Sequence, residues 1–136
     1  MGPEVHLRRT RVWAEEEGFN SFEAEVIARA DLAYDTVYRG GSSPINMSRH
    51  FAPTAWLWSR RHYRDALATG NLEQLGYALH TAQDAVSHGT LGEKHLLQML
   101  GIGRHPDYWE LAPSGIRRRL EAVTRDRLRR FRARVG

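Results

Sequence analysis

The segment LGYALHTAQDAVSHG sets His80, Asp84 and His88 four residues apart. On an α-helix each step of four advances only about 40° around the axis, so the three side chains project from one side. Imidazole and carboxylate at that spacing are metal-binding chemistry: neutral imidazole suits zinc, and the carboxylate offsets the ion's charge and can bridge two ions. Leu75, Ala78, Leu79, Ala82 and Val86 surround the three, which puts the polar groups beside the buried face rather than opposite it. A carboxylate buried there without a cation would be costly. The competing interpretation is a polar stripe turned to solvent. The chain contains no cysteine and seven histidines, so thiolate sites and disulfides are excluded and any zinc must be held by His and carboxylate.

These residues need elements to position them, and the periodicity is helical almost throughout. A first helix is predicted over 5–17 and stops at Gly18. A second opens with Ser21 as N-cap, buries Phe22, Val26, Ile27, Ala30, Ala33, Tyr34 and Val37, and stops at Gly40-Gly41. GGSSPINMSRHFAP has the composition of a loop. An aromatic third helix spans 54–68, closed by Gly70, and a fourth, capped by Asn71, spans 72–87 and carries the His/Asp set. A short helix over 93–100 and a last one over 114–132, with Ser114 as its cap, complete the pattern; no strand signal survives. The expectation is all-α: a compact bundle of about five to six helices around a metal cluster, in a single domain over 1–136.

The composition is that of an ordinary globular protein, 41% hydrophobic and 26% charged across 136 residues. No run approaches the roughly eighteen apolar residues a membrane-spanning helix needs, and the N-terminus has charges where a signal peptide has its apolar core. A soluble chain is expected; export would need a removed signal or carriage within a larger protein. The net charge of +4 is uneven: from Ile116 onward there are nine arginines against Glu121 and Asp126. Such a helix can contact nucleic acid or an anionic membrane surface, or can simply be solvated, and Ile116, Leu120, Val123, Leu128 and Phe131 give it one packing face either way.

With Gly76 before it and His50-Phe51 in the loop ahead, LHTAQDAVSH resembles the zinc-dependent phospholipase C and single-strand nuclease superfamily. Its members are all-helical hydrolases that cut phosphodiester bonds with a metal-activated water and up to three zinc ions. The order of their fingerprint is reproduced over residues 5 to 110: a first-helix histidine, His6; an acid on the second helix, Asp31 or Asp35; His50-Phe51; then His80 and Asp84, with His88 after them. The resemblance implies a first ion held by His50, His80, Asp84 and a remaining carboxylate, with Asp35 favoured by its distance before His50. It implies a second ion held by His6 with Asp84 bridging, and a third begun by His88 and completed by His95 or His105 with Asp107 or Glu110. One to three zinc ions are thus expected, two being the preferred number.

Two features of the superfamily are missing: the N-terminal tryptophan of its secreted members, since this chain begins Met-Gly-Pro, and the later His-x-x-x-Glu pair, since Met99 and Trp109 stand where the glutamates would be. Asp35 or Asp31 is the candidate to orient the attacking water or accept its proton. Arg49 could pair with a phosphate oxygen or be a solvated loop residue. His62 fits no position in the pattern and is expected to pack or to face solvent. The expected function is a metal-dependent phosphodiester hydrolase acting on phospholipid or nucleic acid. The alternatives are a non-catalytic helical binding module stabilised by its metal, or the toxin domain of a larger delivered protein.

Overall fold

The computed structural model describes residues 3–39, 42–88 and 113–135, the side chain of His88 excepted. A π-helical segment (Glu4–Arg9) runs directly into α1 (Thr10–Glu16), followed by α2 (Ser21–Val37), α3 (Pro44–Ser48), α4 (Thr54–Thr69), α5 (Leu72–His88) and α6 (Ser114–Val135). The architecture is the expected all-α bundle, with no strand among the described elements. None of these helices is long and apolar enough to cross a membrane. The short helix expected over 93–100 lies outside the described residues.

Several boundaries differ from the sequence-based expectation. Asn20, not Ser21, caps α2: its side chain accepts from the Glu23 amide while the Glu23 carboxylate accepts from the Asn20 amide, a reciprocal capping box. Phe22 and Val37 fall outside the buried stripe of α2, at 76% and 52% exposure, because they sit at the helix ends; Ala33 is also exposed and Val26 only half-buried, so the buried face is Ala24, Ile27, Ala28, Ala30, Asp31 and Tyr34. The supposed loop contains α3, with Pro44 in its first turn and the Ser43 hydroxyl accepting from the Asn46 amide. The last helix starts at Ser114, which is therefore not its cap. Elsewhere the stop and start signals hold: Gly70 closes α4 at φ 70°, and Asn71 Oδ1 accepts from the amides of Glu73 and Gln74 to open α5.

The π-helical turn was not visible in the sequence, whose periodicity does not separate five-residue from four-residue hydrogen bonding. It contains His6, and the Thr10 hydroxyl at its end lies 2.8 Å from the Val5 carbonyl. Such wide turns are rare and frequently occur at functional sites.

Helix α5 is the axis of the molecule, packing most extensively against α4 and α2 and also against α6. From Ala78 to Ser87 every residue is buried, polar ones included. Leu75, Leu79 and Val86 join Val5, Trp13, Ile27, Leu120, Leu128 and Phe131 in the core. Gly76 decides how close α2 comes: a Cβ there would stand 2.5 Å from the Ile27 carbonyl oxygen and 2.9 Å from the Asp31 nitrogen. The absent side chain lets the two backbones touch one turn before His80, which is what brings Asp31 beside it.

Candidate metal centre

Three helical elements and one loop place the cluster. His6 comes from the π segment, Asp31 and Asp35 from one face of α2, His50 from the turn after α3, and His80 and Asp84 from α5. His6, Asp31, His50, His80 and Asp84 are buried, and Asp35 alone is half exposed, at 54% of its side chain. Two overlapping groups have the spacing to hold a cation: Asp35, His50, His80 and Asp84; and His6, Asp31 and His80.

The imidazoles of His6 and His80 lie stacked, with ring centres 4.0 Å apart. Both turn Nδ1 towards Asp31 and Nε2 towards Asp84. At the Asp31 end, His6 Nδ1 is 2.8 Å from Oδ1, and His80 Nδ1 is 2.6 Å from the main-chain carbonyl of Asp31. At the Asp84 end, His80 Nε2 is 3.0 Å from Oδ2 and His6 Nε2 is 3.5 Å from Oδ1. His50 enters from the side: its Nε2 is 2.6 Å from the Tyr38 carbonyl and its Nδ1 is 2.8 Å from Asp84 Oδ2. Asp35 Oδ1 completes this corner, 3.1 Å from His80 Nε2 and 3.4 Å from His50 Nδ1.

Carbonyls only accept, so the nitrogen bonded to one carries a proton: Nδ1 of His6 on the Gln83 side chain, Nδ1 of His80 on the Asp31 main chain and Nε2 of His50 on the Tyr38 main chain. The second nitrogen, a lone pair in the neutral ring, then points at carboxylate oxygens. Lone pairs do not sit about 3 Å from anionic oxygens in a buried site unless a cation comes between them. His80 Nε2 is close enough for ion pairing with two carboxylates yet makes no hydrogen bond with good geometry to either, and the buried His6 Nε2 makes none at all. The donor set, imidazole nitrogen with carboxylate oxygen and one N–H of each ring anchored outside, could hold a metal ion.

Protons are the other cations available. Burial would lower the pKa of His80, but the charge of Asp84 and the contacts with Asp31 and Asp35 hold it well above its ordinary value. Burial and the adjacent His80 likewise pull His6 down, and Asp31 brings it above normal. Burial raises Asp35, and its contact with His80 outweighs that and lowers it. Two imidazolium rings stacked about 4 Å apart repel each other by on the order of 4 kcal/mol at an effective dielectric constant of about 20, so it is the surrounding carboxylates that raise both, and the same carboxylates favour any cation placed there.

Beyond the ligating atoms lie residues the sequence did not single out. Gln83 bonds His6 Nδ1 through Oε1 at 2.8 Å, and its Nε2 donates to the hydroxyls of Thr10 and Thr124, each at 3.0 Å. The Thr10 hydroxyl is also 2.9 Å from Asp31 Oδ2. Tyr34 lies against His80, its OH 2.9 Å from His62 Nε2, and His62 Nδ1 reaches Gln74 Oε1 at 2.9 Å. His62 is therefore a packing residue behind the cluster, as expected, and its burial lowers its pKa. Burial also pushes the Tyr34 hydroxyl up to about 12, which keeps it protonated and donating. A polar residue one place before Asp84, between Ala82 and the proposed ligand, was the available signal for Gln83.

Comparison with protein families, curated proteins and solved structures finds no match. The site's chemistry therefore stands on its own geometry. Both second-helix carboxylates join the cluster: Asp31 is wholly buried and is neither a surface residue nor a partner of Arg29, which pairs with Glu25 instead. Arg49 is neither a member of the cluster nor a solvated loop residue. Its guanidinium is stacked between the rings of Tyr38 and Trp58, at 3.9 and 3.7 Å, and donates to the Tyr34 hydroxyl at 3.1 Å. The side chain of His88, together with His95, His105, Asp107 and Glu110, lies outside the described residues.

Proposed function

We propose that this chain is a zinc-dependent phosphodiester hydrolase, acting on a phospholipid or a nucleic acid, with Asp84 bridging two ions. The observation that carries the reading is the common orientation of three histidines, each anchored by one nitrogen and turning the other onto carboxylate oxygens. Asp84 Oδ2, His50 Nδ1, His80 Nε2 and Asp35 would hold the first ion; Asp84 Oδ1 and His6 Nε2 would begin the second. The absence of cysteine and the mixture of imidazole and carboxylate favour zinc over softer ions. A bound divalent ion supplies Lewis acidity, lowering the pKa of a coordinated water to about 7 and offsetting charge on a phosphate.

The protein's own groups divide the remaining work. Asp35 is the cluster carboxylate open to solvent, so it is the group able to orient a water or take its proton. Asp31, fully buried and committed to His6 and Thr10, orients ligands instead. Arg49 holds the turn carrying His50 through its aromatic stack. It could meet a phosphate only through the part of its fork not already given to Tyr34. The second reading, a non-catalytic module stabilised by its metal, is favoured by how little of the cluster is exposed. Structural zinc sites are closed and catalytic ones keep an open position, and the exposed edge at Asp35 favours catalysis.

Metal analysis of the purified chain should find roughly one to two equivalents of zinc, with hydrolysis of either a phospholipid or single-stranded DNA. A chain that holds no transition metal and takes up none when zinc is added overturns the reading. Zinc bound without hydrolysis of any phosphodiester leaves only the structural module.

A further inference from the structure

We infer that Thr124 of α6 and Gln83 of α5 are positioning residues for His6, so the C-terminal helix completes the outer support of the second ion's site. The inference rests on the metal reading above but concerns residues outside the ligand set.

The hydrogen bonds of this buried network are ordered by the charge beside His6. Asp31 Oδ1 lies 2.8 Å from His6 Nδ1 without making a hydrogen bond to it, and a carboxylate so close to that ring edge favours the proton on Nδ1. Gln83, whose side chain also meets Nδ1 at 2.8 Å, must therefore present its carbonyl oxygen there. That places its amide nitrogen, with two protons, against exactly two hydroxyl oxygens, those of Thr10 and Thr124. All of these residues are buried. The alternative amide orientation would put Nε2 protons against a protonated Nδ1 and set a buried carbonyl oxygen against the Thr10 hydroxyl, whose proton goes to Val5 or Asp31. The hydroxyls thus act as a key: they accept from Gln83, and Gln83 so held accepts from His6.

His6 Nε2 is left facing Asp84 Oδ1 with no hydrogen bond of its own. Without Thr124, one Gln83 proton loses its acceptor in a dry site and the amide is held by Thr10 alone, so it fixes His6 less firmly. The His6 ring is then less tightly aimed at Asp84. His80 is not exposed to this change, because its Nδ1 is anchored separately on the Asp31 carbonyl. Supporting groups of this kind typically change metal affinity by about 10- to 100-fold.

The test is titration of the metal-free full-length chain with Co2+ and with Zn2+, following cobalt absorption bands and calorimetric stoichiometry. The wild-type chain should take up two ions in separable phases. Thr124→Val and Gln83→Leu should leave the tighter phase unchanged and weaken the other by about 10- to 100-fold. Thr124→Ser, which keeps the hydroxyl, should restore it. Circular dichroism of each variant, metal-free, controls for folding, and the retained first phase is an internal check of the same kind. Two wild-type-like phases in Thr124→Val and Gln83→Leu overturn the relay, as does loss of both phases together or a single phase in the wild type. A wild-type chain that binds no metal overturns the proposed function itself.

Discussion

Helices α5 and α6 are both long and both conspicuous for their polar residues, but they use them in opposite ways. In α6 Arg118, Arg119, Arg129, Arg130 and Arg134 are exposed and Arg117, Arg125, Arg127 and Arg132 are half-buried, Arg127 over the Trp56 ring. Arg125 pairs with Glu16 and Glu121, Arg129 with Glu17, Arg130 with Asp126, and the arginine of Arg132 lies over the Phe19 ring. In α5 the polar groups His80, Gln83 and Asp84 are inside, and each is matched to a partner far away in the chain. Solvent and neighbouring charges satisfy the first set at little net gain, whereas burial forces the second set into one arrangement. Density of charge in a sequence is thus a poor guide to where chemistry lies; convergence of a few buried groups is a better one.

The contrast can be broken most forcefully at Asp84. Asp84→Ala removes the carboxylate shared by His6, His50 and His80, and should both abolish metal uptake and cost about 3–5 kcal/mol even in chelator. Elemental analysis and denaturant melts measure the two effects; retention of full metal content would show that α5 is not the centre. The apolar side of α6 comes next. Removing 129–136 would take no proposed ligand from the cluster. Phe131, however, is 2% exposed and packs with Phe19 and Leu128 in the core. Phe131→Ala should cost about 3–4 kcal/mol in a denaturant titration, and near-neutrality would make α6 an appendage after all.

A pH series tests the cluster more gently. In the metal-free chain His80, with its raised pKa, contributes stability that is complete below its ordinary value of 6.5 and fades as pH climbs through the raised one. His6 acts with the same sign, and His62, lowered by burial, acts only below that window. The melting temperature in chelator should therefore fall as pH rises above 6.5, while that of the zinc-loaded chain holds or rises because the ion replaces those protons. Parallel curves with and without zinc would sever the link between protons and metal. At the small end stands Arg129→Ala: its guanidinium is exposed, and the largely covered Glu17 keeps Arg125 beside it, so the loss should be less than about 1 kcal/mol. A larger loss would mean that the exterior of α6 is more than a solvated face.

Much of the scaffold was legible because its signals are local. Gly70 and Asn71 mark the α4–α5 junction by their own backbone and side-chain preferences, and the four-residue spacing of His80 and Asp84 reports a shared helix face wherever that helix is placed. His6, Asp31, Asp35 and His50 could be named as candidates only by resemblance, since nothing local distinguishes them from surface residues. Tertiary structure alone decided which nitrogen of each ring faces the cluster, that Asp31 and Asp35 take different places in it, and that Thr124 and Gln83 belong to its support. The reason is physical: a ring's orientation is fixed by the acceptors around it, and those acceptors come from distant parts of the chain, as Gln83 does for His6 across 77 residues. Periodicity can reveal which side of a helix is buried, but it says nothing about what waits on the other side of the contact.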